Sequence, residues 1–358
     1  MISQRLQKSW WRCALVLSAI LVPSSLAIAG QHDRNTFVIT STNDANRNSV
    51  VVFKLDSGQT PALSLAYRLS TGGKGGASGN AGILQFNDDL GAVANYGSNT
   101  VSRLIRFDNV IVVGGTIKLA PDCESPDSVA LNEDHLFMVG KNCAESHAWP
   151  GGQVDGSVVS LSDSSAAQIA VGKTWAAVTL TSGSVMQLPL THEGGALNGA
   201  TTTITLPTDA NNTPLGAAFW GDILGFTPAH SPDSFAIVDA GENVFPIVGP
   251  APSYPTNAPC WVAKGPRSIW YTGNSPGQAV SIFFSDAEGG VFYKSIPLPG
   301  MPTDITVSRD RKWLAVIYTA SDGAHVAVFA IDDYGDLKQV AASSSINVAS
   351  FNGVAFSQ

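Results

Sequence analysis

Short segments rich in β-branched residues recur along the 358-residue chain at intervals of about 45 residues. The first segment of each unit begins near position 82, 126, 165, 215, 261, 302 or 352. A hairpin follows it, as residues 90–95 (LGAVAN) and 100–107 (TVSRLIRF) follow residues 81–86 (AGILQF), and a weaker strand often completes the unit. Tandem four-stranded units of this size are typical of the blades of a β-propeller.

The two ends of the chain depart from this repeat in complementary ways. The first hairpin begins at Thr36 without a leading strand, and residues 352–356 (NGVAF) form a leading strand without a hairpin. The last strand can therefore complete the first blade and close the ring. The sequence thus predicts an all-β fold, a single seven-bladed β-propeller over residues 30–358, closed by the C-terminal strand. A β-sandwich followed by a second all-β domain is the alternative, but it explains neither the period nor the complementary ends.

The composition agrees with a ring of blades. The chain contains 35 glycines, and only 13% of its residues are charged, whereas globular proteins usually have about 7% glycine and about 25% charged residues. Many tight hairpins require glycine, asparagine and serine, and blades packed against one another leave little surface for charges. The apolar fraction of 44% excludes an intrinsically disordered chain.

The first 29 residues have the pattern of a secretory signal peptide. Arg5, Lys8 and Arg12 precede an apolar run, residues 13–22, and small residues at 27 and 29 fit a cleavage site after Ala29. A membrane anchor is the alternative, but the run is shorter than the roughly 20 residues that span a bilayer as a helix. The sequence therefore predicts a secreted or periplasmic protein.

Removal of this peptide makes the chain more acidic and limits its partners. Loss of its three basic residues takes the net charge from −8 to −11, and no cluster of basic residues remains. Nucleic acids and anionic membrane surfaces bind through such clusters, so we expect neither, and no later segment is apolar enough for membrane insertion. The sequence favours a small-molecule or extracellular ligand as the partner of a monomeric propeller, although nothing in it excludes a dimer.

Three cysteines remain after the predicted cleavage: Cys123, Cys143 and Cys260. In an oxidising compartment one pair and one leftover thiol are expected, and three unpaired thiols are the alternative. The loop leading into a blade and the loop of its hairpin lie on the same face of a propeller. Cys123 and Cys143 occupy these two loops of blade three, so we expect them to approach within the roughly 6 Å that a disulfide requires. Cys260 lies at the start of blade six and is expected to be buried or free.

Several glycine-rich and polar stretches carry a resemblance to a known family. They are residues 70–76 (STGGKGG), 79–82 (GNAG), 90–102 (LGAVANYGSNTVS), 191–197 (THEGGAL) and 307–314 (VSRDRKWL). The chain resembles the seven-bladed lactonase family, which includes propeller phosphogluconolactonases and carboxymuconate-lactonizing enzymes, over roughly residues 36–356. The resemblance implies opening or closing of a lactone ring in a pocket at one face of the central channel, by His, Arg and Glu side chains.

The nearest match to such a set is the pair Glu145 and His147, within a segment, residues 142–155, that we expect to be a long loop. A His–carboxylate pair can perform general acid–base chemistry on a lactone. His230, in the hairpin loop two blades further on, is expected at the same channel mouth and completes the predicted catalytic set. A disulfide-held surface loop with Trp149 packed on the blade is the alternative for residues 142–155, and a solvated histidine is the alternative for His230.

Acidic residues before blade three form a candidate metal site. Asp122, Glu124 and Asp127 can supply oxygen ligands to a calcium ion near the channel. The alternative is that these acidic loop residues only increase solubility. The sequence predicts no other cofactor.

Two functions are therefore open at this point. One is a secreted lactone hydrolase or cycloisomerase-like enzyme that acts on a sugar or muconate-type lactone at the channel mouth. The other is a non-catalytic extracellular binding or adhesion propeller, because one fold supports many functions.

Arginine is scarce in the second half of the chain: only Arg267, Arg309 and Arg311 follow Arg106. Recognition of a phosphate favours bidentate arginine contacts. A phosphosugar lactone is therefore disfavoured.

Overall fold

The computed structural model describes residues 34–206, 213–229, 235–242, 247–248, 258–286, 289–346 and 348–358. These residues form seven sheets of four antiparallel strands. The innermost strand of every sheet contacts the innermost strands of the two neighbouring sheets, so the sheets close a ring around a central channel. This arrangement confirms the predicted all-β, seven-bladed propeller. The predicted signal peptide, residues 1–29, lies outside the described residues.

The strands of the first four blades follow one another in chain order. Blade one contains β1 (Thr36–Ser41), β2 (Ser49–Asp56) and β3 (Ala62–Ser70). Blade two contains β4 (Leu84–Asn87), β5 (Leu90–Asn95), β6 (Thr100–Phe107) and β7 (Val110–Lys118). Blade three contains β8 (Ser128–Leu131), β9 (His135–Val139), β10 (Cys143–Ala148) and β11 (Val159–Ser160). Blade four contains β12 (Ala166–Val171), β13 (Trp175–Leu180), β14 (Ser184–Pro189) and β15 (Thr202–Thr205).

The remaining blades continue the series and end with the closing strand. Blade five contains β16 (Thr213–Trp220), β17 (Ile223–Ala229), β18 (Phe235–Asp239) and β19 (Ile247–Val248). Blade six contains β20 (Pro259–Lys264), β21 (Ile269–Asn274), β22 (Ala279–Asp286) and β23 (Gly289–Pro297). Blade seven contains β24 (Met301–Val307), β25 (Trp313–Ala320), β26 (Gly323–Ile331) and β27 (Leu337–Ala342), and β28 (Asn352–Ser357) follows it. A 3₁₀ turn (Tyr96–Ser98) is the one helical element of the described chain, in which no helix could cross a bilayer.

The C-terminal strand completes blade one, as the sequence predicts. β28 lies on the channel side of β1 and pairs with it in antiparallel register, with Val38 opposite Phe356. The hydroxyl of Thr40 donates a buried hydrogen bond of 2.7 Å to the carbonyl oxygen of Gly353. Because both ends of the chain share one sheet, the ring is closed by a β-ladder rather than by a loop.

The second strand of each blade is buried almost along its whole length because neighbouring blades pack against both of its faces. In β5, every residue after Leu90 is buried, and β9 is buried throughout. Small residues allow this packing: a Cβ at Gly91 would lie 2.4 Å from the ring of Phe86. Strands buried on both faces have room for few charged side chains, which agrees with the low charged fraction.

The antiparallel strand order defines two faces of the ring. The upper face carries the loops between the second and third strands, such as residues 42–48 and 140–142, and the loops that lead into each innermost strand, such as residues 71–83. The lower face carries the other turns, such as residues 88–89 and 149–153. The predicted starting points of the innermost strands all lie within two residues of the observed ones.

The prediction of one long loop over residues 142–155 is wrong. Residues 143–148 form β10, the third strand of blade three, in which Glu145 and His147 are paired with β9. The chain turns at the lower face after Ala148, and Val154 returns opposite His147. Polar residues at alternate positions resemble a loop in the sequence, but here each finds a buried hydrogen-bond partner within the blade.

The predicted disulfide joins Cys123 to Cys143, with their Cα atoms 5.5 Å apart. It links the loop leading into blade three to the first residue of β10. Cys260 is a buried free cysteine whose thiol donates to the carbonyl oxygen of Ala258 at 3.2 Å. Burial raises the pKa of the Cys260 thiol, so this sulfur is a poor nucleophile.

Candidate functional site

A pocket of about 600 Å³ opens at the upper mouth of the channel, and we call it the upper pocket. Residues 42–46, 77–80 and 348–351 of three upper loops line it, and Trp261 and Thr303 extend its walls on the innermost strands of blades six and seven. Its described polar lining also includes Thr42, Asn43, Asp44, Asn46, Arg68, Ser78, Asn80, Ser350 and Asn352. The pocket is therefore rich in amide and hydroxyl groups.

Residues 71–83, which we call the channel segment, cross the mouth of the channel instead of following its edge. The Ala81 amide donates to the carbonyl oxygen of Ala167 on blade four at 3.2 Å. The Gly82 amide donates to Oδ2 of Asp304 on blade seven at 3.1 Å. Because these blades lie on opposite sides of the ring, the channel segment lies between the upper pocket and the channel below.

Asn43 holds the middle of the channel segment in place. Its side-chain Oδ1 accepts the amides of Gly76 at 2.8 Å and Ala77 at 3.2 Å, and its Nδ2 donates to the Ala77 carbonyl oxygen at 2.6 Å. A Cβ at Gly75 would lie 2.4 Å from the carbonyl carbon of Asn43. Glycine is required there because the two loops approach each other more closely than a side chain permits.

Two asparagines and a tryptophan shape the inner end of the upper pocket. Nδ2 of Asn352 donates to Oδ1 of Asn80 at 2.9 Å, and Asn80 in turn donates to the carbonyl oxygen of Asp127. Oδ1 of Asn352 is buried and has no hydrogen-bond partner in the described part of the chain. The indole of Trp261 donates to the Pro302 carbonyl oxygen at 2.9 Å, which fixes the ring as a wall.

Asp44 and Arg68 are the charged residues of the described pocket lining. Oδ1 of Asp44 accepts the backbone amides of Arg47 at 3.0 Å and Asn46 at 2.8 Å. These two donors, together with the charge of Arg68, hold the pKa of Asp44 below its usual range, so the carboxylate is ionised at neutral pH. The guanidinium of Arg68 is exposed and has no hydrogen bond to any described residue, which leaves it available to a ligand.

A second cavity, of about 230 Å³, lies in the channel below the channel segment, among the innermost strands of blades two to seven. Asp304 and Lys264 are the ionisable residues of its described lining. Burial raises the pKa of Asp304 to about 7, against the opposing effect of backbone amides that donate to it. Burial lowers the pKa of Lys264 to about 8, and its ammonium lies 4.7 Å from the ring centre of Trp220 and 5.1 Å from that of Trp270.

The predicted catalytic pair, Glu145 and His147, lies in the interior of blade three. Nε2 of His147 is 3.0 Å from Oε1 of Glu145, and both side chains are almost inaccessible to solvent. Oε2 of Glu145 accepts the Ala120 amide at 2.9 Å, and Nδ1 of His147 is 2.9 Å from the carbonyl oxygen of Gly152. Because a carbonyl oxygen can only accept, Nδ1 of His147 is the donor to Gly152. Neither side chain lines the upper pocket.

The structure gives different answers for the other predicted site residues. His230 lies outside the described residues, so its predicted place at the channel mouth stays a prediction. Asp122 and Glu124 are exposed, whereas Asp127 is buried, and burial raises the pKa of Asp127 to about 7. In the described chain these three carboxylates do not form a cluster of metal-binding dimensions. The one such cluster found there combines Glu145 with the two disulfide sulfurs, which offer no thiolate.

The sequence did not predict the residues of the upper pocket, because they are ordinary polar residues from distant parts of the chain. Arg68, Asn43 and Asn80 stand in loops or on an exposed strand, where such residues are common. Asp304 carried a usable signal: it is the one charged residue of β24 (MPTDITV), an innermost strand. The length of the glycine-rich channel segment was a second signal, since most blade connections are shorter.

Solved structures of low sequence identity share this fold. A protein from Lactobacillus plantarum aligns with 91% of this chain and 100% of its own, with a TM-score of 0.69 and 15% identity. A candidate 6-phosphogluconolactonase from Bacteroides fragilis aligns with 92% and 99%, with a TM-score of 0.65 and 11% identity. The periplasmic gluconolactonase of Pseudomonas aeruginosa aligns with 91% and 99%, with a TM-score of 0.64 and 15% identity.

Sequence comparison adds no closer relative. No protein-family model matches the chain, and no curated protein matches it. Identities of 11 to 15% establish a common fold and nothing finer. The chain therefore has the seven-bladed propeller fold that lactonase-type proteins also have.

Proposed function

We propose that this protein is a lactonase-type hydrolase that binds a small, uncharged sugar lactone in the upper pocket and opens its ring. The observation that carries the proposal is the presence of one unpartnered guanidinium, on Arg68, and one ionised carboxylate, on Asp44, in a pocket of about 600 Å³. Ligand pockets usually have volumes of roughly 300 to 1,000 Å³, so a single sugar ring fits. The fold shared with a gluconolactonase supports the same chemistry.

The two charged side chains take complementary roles in the proposed reaction. Arg68 donates hydrogen bonds to the lactone carbonyl oxygen and stabilises the negative charge that forms there when water adds to the carbonyl carbon. Asp44 accepts a proton from the attacking water. The ring C–O bond then breaks, and the departing oxygen takes up this proton. The product is the open-chain hydroxy acid, whose carboxylate, once ionised, pairs with Arg68.

The charge of the pocket favours an uncharged substrate over a phosphorylated one. Asp44 offsets the charge of Arg68, and the described lining has no second cation. A phosphate dianion is recognised best by two or more cationic or bidentate contacts. Amides and hydroxyls, such as those of Asn80 and Ser350, instead suit a ligand that is rich in hydroxyl groups.

We also propose that the protein acts outside the cytoplasm, as a secreted or periplasmic protein. The Cys123–Cys143 disulfide is of the kind that persists in oxidising compartments. The N-terminal sequence pattern predicts export in the same direction. N-terminal sequencing of the protein recovered from the culture medium or periplasm tests this location: a chain that starts at Met1 and stays in the cytoplasm contradicts it.

Hydrolysis assays with glucono-1,5-lactone, its 6-phosphate and a muconate-type lactone test the proposed reaction. We expect turnover of the neutral sugar lactone, and we expect Arg68→Ala to lower kcat/KM by about 100-fold or more. Arg47→Ala is the matched control, because Arg47 is an exposed arginine of the same region that does not line the pocket, and its effect should stay within about twofold. If no lactone is hydrolysed above the spontaneous rate, the proposal is overturned.

Binding without catalysis is the second candidate function, and one observation favours it. The described histidines do not line the upper pocket; they are His135, His147, His192 and His325. The described pocket therefore lacks the side chain that most often performs acid–base catalysis near neutral pH. Saturable binding of gluconate or of a neutral oligosaccharide, measured by calorimetry and lost in Arg68→Ala, would support this candidate if no lactone is turned over.

A further inference from the structure

We infer that Asp304 is a positioning residue, which sets the inner end of the upper pocket by joining the three chain segments that supply Asn80, Thr303 and Asn352. The expected effect of Asp304 on substrate binding rests on the proposed function. The effect of Asp304 on the three segments can be measured without a substrate. Asp304 is 5% exposed and does not itself line the upper pocket. It therefore acts through other residues.

The Asp304 carboxylate accepts hydrogen bonds from three separate backbone segments. Oδ2 accepts the amide of Gly82, in the channel segment, at 3.1 Å. Oδ1 accepts the amide of Ile305, in β24, at 2.8 Å. The amide of Val354, in the closing strand β28, is the third donor. One buried side chain thus joins the channel segment, blade seven and blade one.

Each of these three segments places a polar residue of the upper pocket next to its bond with Asp304. Asn80 is two residues before Gly82, Thr303 directly precedes Asp304, and Asn352 is two residues before Val354. All three line the upper pocket. Asn80 and Asn352 are also hydrogen bonded to each other at 2.9 Å. The Thr303 hydroxyl also donates to the carbonyl oxygen of Phe351, which precedes Asn352, at 3.0 Å. The spacing of these polar groups is therefore set by the three bonds to one carboxylate together with these two side-chain bonds.

These three segments are not joined to one another by any β-ladder of the described chain. β24 and β28 are innermost strands of different sheets, and the channel segment belongs to neither sheet. An apolar side chain of similar size would fill the space of Asp304 but leave three buried amides without this acceptor. The only other ionisable group on the described lining of the cavity below is Lys264, whose ammonium donates to the carbonyl oxygens of Gly265 and Ile269.

Asp304→Asn tests the inference, with Asp127→Asn as the matched control. The asparagine keeps the size of the side chain but presents an NH₂ group to one of the three amide donors. Asp127 is also buried, at 7% exposure, and burial raises its pKa to about 7 as well. Its carboxylate, however, has no hydrogen bond to any described residue. The two variants therefore remove equally buried charges, of which only one joins the pocket segments.

The first measurement is hydrogen–deuterium exchange of the full chain without substrate. We expect Asp304→Asn to speed the exchange of peptides from residues 71–83 and 352–357 at least tenfold, and Asp127→Asn to leave both unchanged. Exchange of these peptides at the wild-type rate in Asp304→Asn overturns the inference. Equal acceleration in both variants also overturns it, because the effect is then a general loss of stability.

The second measurement is steady-state kinetics with glucono-1,5-lactone. We expect Asp304→Asn to raise KM about fivefold to tenfold while kcat changes less than about threefold, because the pocket binds less well but Asp44 and Arg68 are intact. A fall in kcat with unchanged KM contradicts a positioning role. If the wild-type protein turns over no lactone, the proposed function fails. The exchange experiment then still tests whether Asp304 positions the three segments.

A third measurement needs no variant and covers the case in which Asp304→Asn does not fold. In wild-type protein, the backbone amide signals of Gly82, Ile305 and Val354 should shift together with one midpoint near pH 7 in an NMR titration, since burial raises the pKa of Asp304 to about 7. Lys264, with its pKa lowered to about 8, is distinguished by the signals of Gly265 and Ile269. Three amide signals that do not move together overturn the inference.

Discussion

Blade three and the upper pocket both hold residues that are suited to catalysis, but the two regions arrange them in opposite ways. In blade three, Glu145 and His147 are buried and hydrogen bonded to each other and to backbone groups. In the upper pocket, Asp44 and Arg68 are exposed, and the guanidinium has no described partner. A catalytic group must reach the proton or the charge that it acts on. Accessibility, rather than residue type, therefore distinguishes a candidate site from a structural pair.

Breaking the buried pair should have the largest effect. Glu145→Ala or His147→Ala leaves one polar side chain buried without its partner, so we expect the free energy of unfolding to fall by about 3 to 5 kcal/mol. Lys173→Ala breaks the exposed pair between Lys173 and Glu193 and should lower it by less than about 1 kcal/mol. Urea unfolding followed by tryptophan fluorescence measures all three variants.

The same variants decide which of the two regions takes part in catalysis. If His147→Ala is as stable as the wild-type protein but no longer hydrolyses a lactone, the buried pair has a role in the reaction and blade three becomes the better site. A loss of stability with normal kcat/KM at a temperature where the variant is folded supports a structural role. The catalytic role predicted from the sequence is decided by this one experiment.

The pH dependence of stability should reveal a buried carboxyl in each region, Asp304 below the upper pocket and Asp127 beside blade three. Burial raises the pKa of both to about 7. Between about pH 4 and pH 7 the folded protein keeps protons that the unfolded chain has released, so this contribution is complete below pH 4 and is lost as the pH rises to 7. We expect the free energy of unfolding to fall by about 2 to 4 kcal/mol for each carboxyl across that range.

Denaturant titrations at several pH values, with the two asparagine variants, separate these contributions. Asp304→Asn and Asp127→Asn should each reduce the fall in stability by a similar amount, since each removes one carboxyl with a raised pKa. Only Asp304→Asn should change KM as well. An unchanged pH dependence in Asp304→Asn would mean that this carboxyl does not hold its proton in the folded state.

Removal of the disulfide should have a somewhat smaller effect, confined to blade three. Cys123 and Cys143 are 20 residues apart in the sequence, and closing a loop of that length stabilises a protein by about 3 kcal/mol in the chain-entropy view. In the double variant Cys123→Ser and Cys143→Ser, we expect the free energy of unfolding to fall by about 2 to 3 kcal/mol, measured by thermal or urea unfolding. Cys260→Ser, a buried cysteine outside the disulfide, should lose about 1 kcal/mol and is the control.

The disulfide also tests how independent the two regions are. Cys143 begins the strand that carries Glu145 and His147, whereas no residue of β10 lines the upper pocket. The double serine variant should therefore keep the wild-type KM for a lactone at a temperature where it is folded. A change in KM would show that the regions are coupled through blades two and three.

The sequence predicted the fold well because the fold depends on local patterns. Alternating apolar residues and glycine-rich turns repeat seven times, and each blade is formed mainly by neighbours in the chain. Ring closure was predictable for a similar reason, because the unpaired hairpin at Thr36 and the unpaired strand at residue 352 complement each other. The Cys123–Cys143 disulfide followed from the position of both residues on one face.

The candidate site was not predictable in the same way because it depends on contacts between distant segments. The bond between Asp304 and Gly82 joins residues 222 positions apart, and no local pattern marks such a pair. Glu145 and His147 were predicted as catalytic because their residue types indicate acid–base chemistry. Their burial, however, follows from the pairing of β9 and β10, which residue type does not reveal. Sequence patterns report strand and turn, and they do not report which polar group ends in a pocket.

The smallest effect on stability, with a specific effect on binding, is expected from Gly75→Ala in the channel segment. The new Cβ would lie 2.4 Å from the Asn43 carbonyl carbon, so the two loops at the upper pocket must separate. We expect the free energy of unfolding to fall by about 1 to 2 kcal/mol and KM to rise about fivefold. Gly58→Ala, whose Cβ meets only a side-chain oxygen of Asp56 at 3.3 Å, should change neither. An unchanged KM in Gly75→Ala would show that the channel segment does not form part of the binding site, because the new Cβ must push this segment away from Asn43.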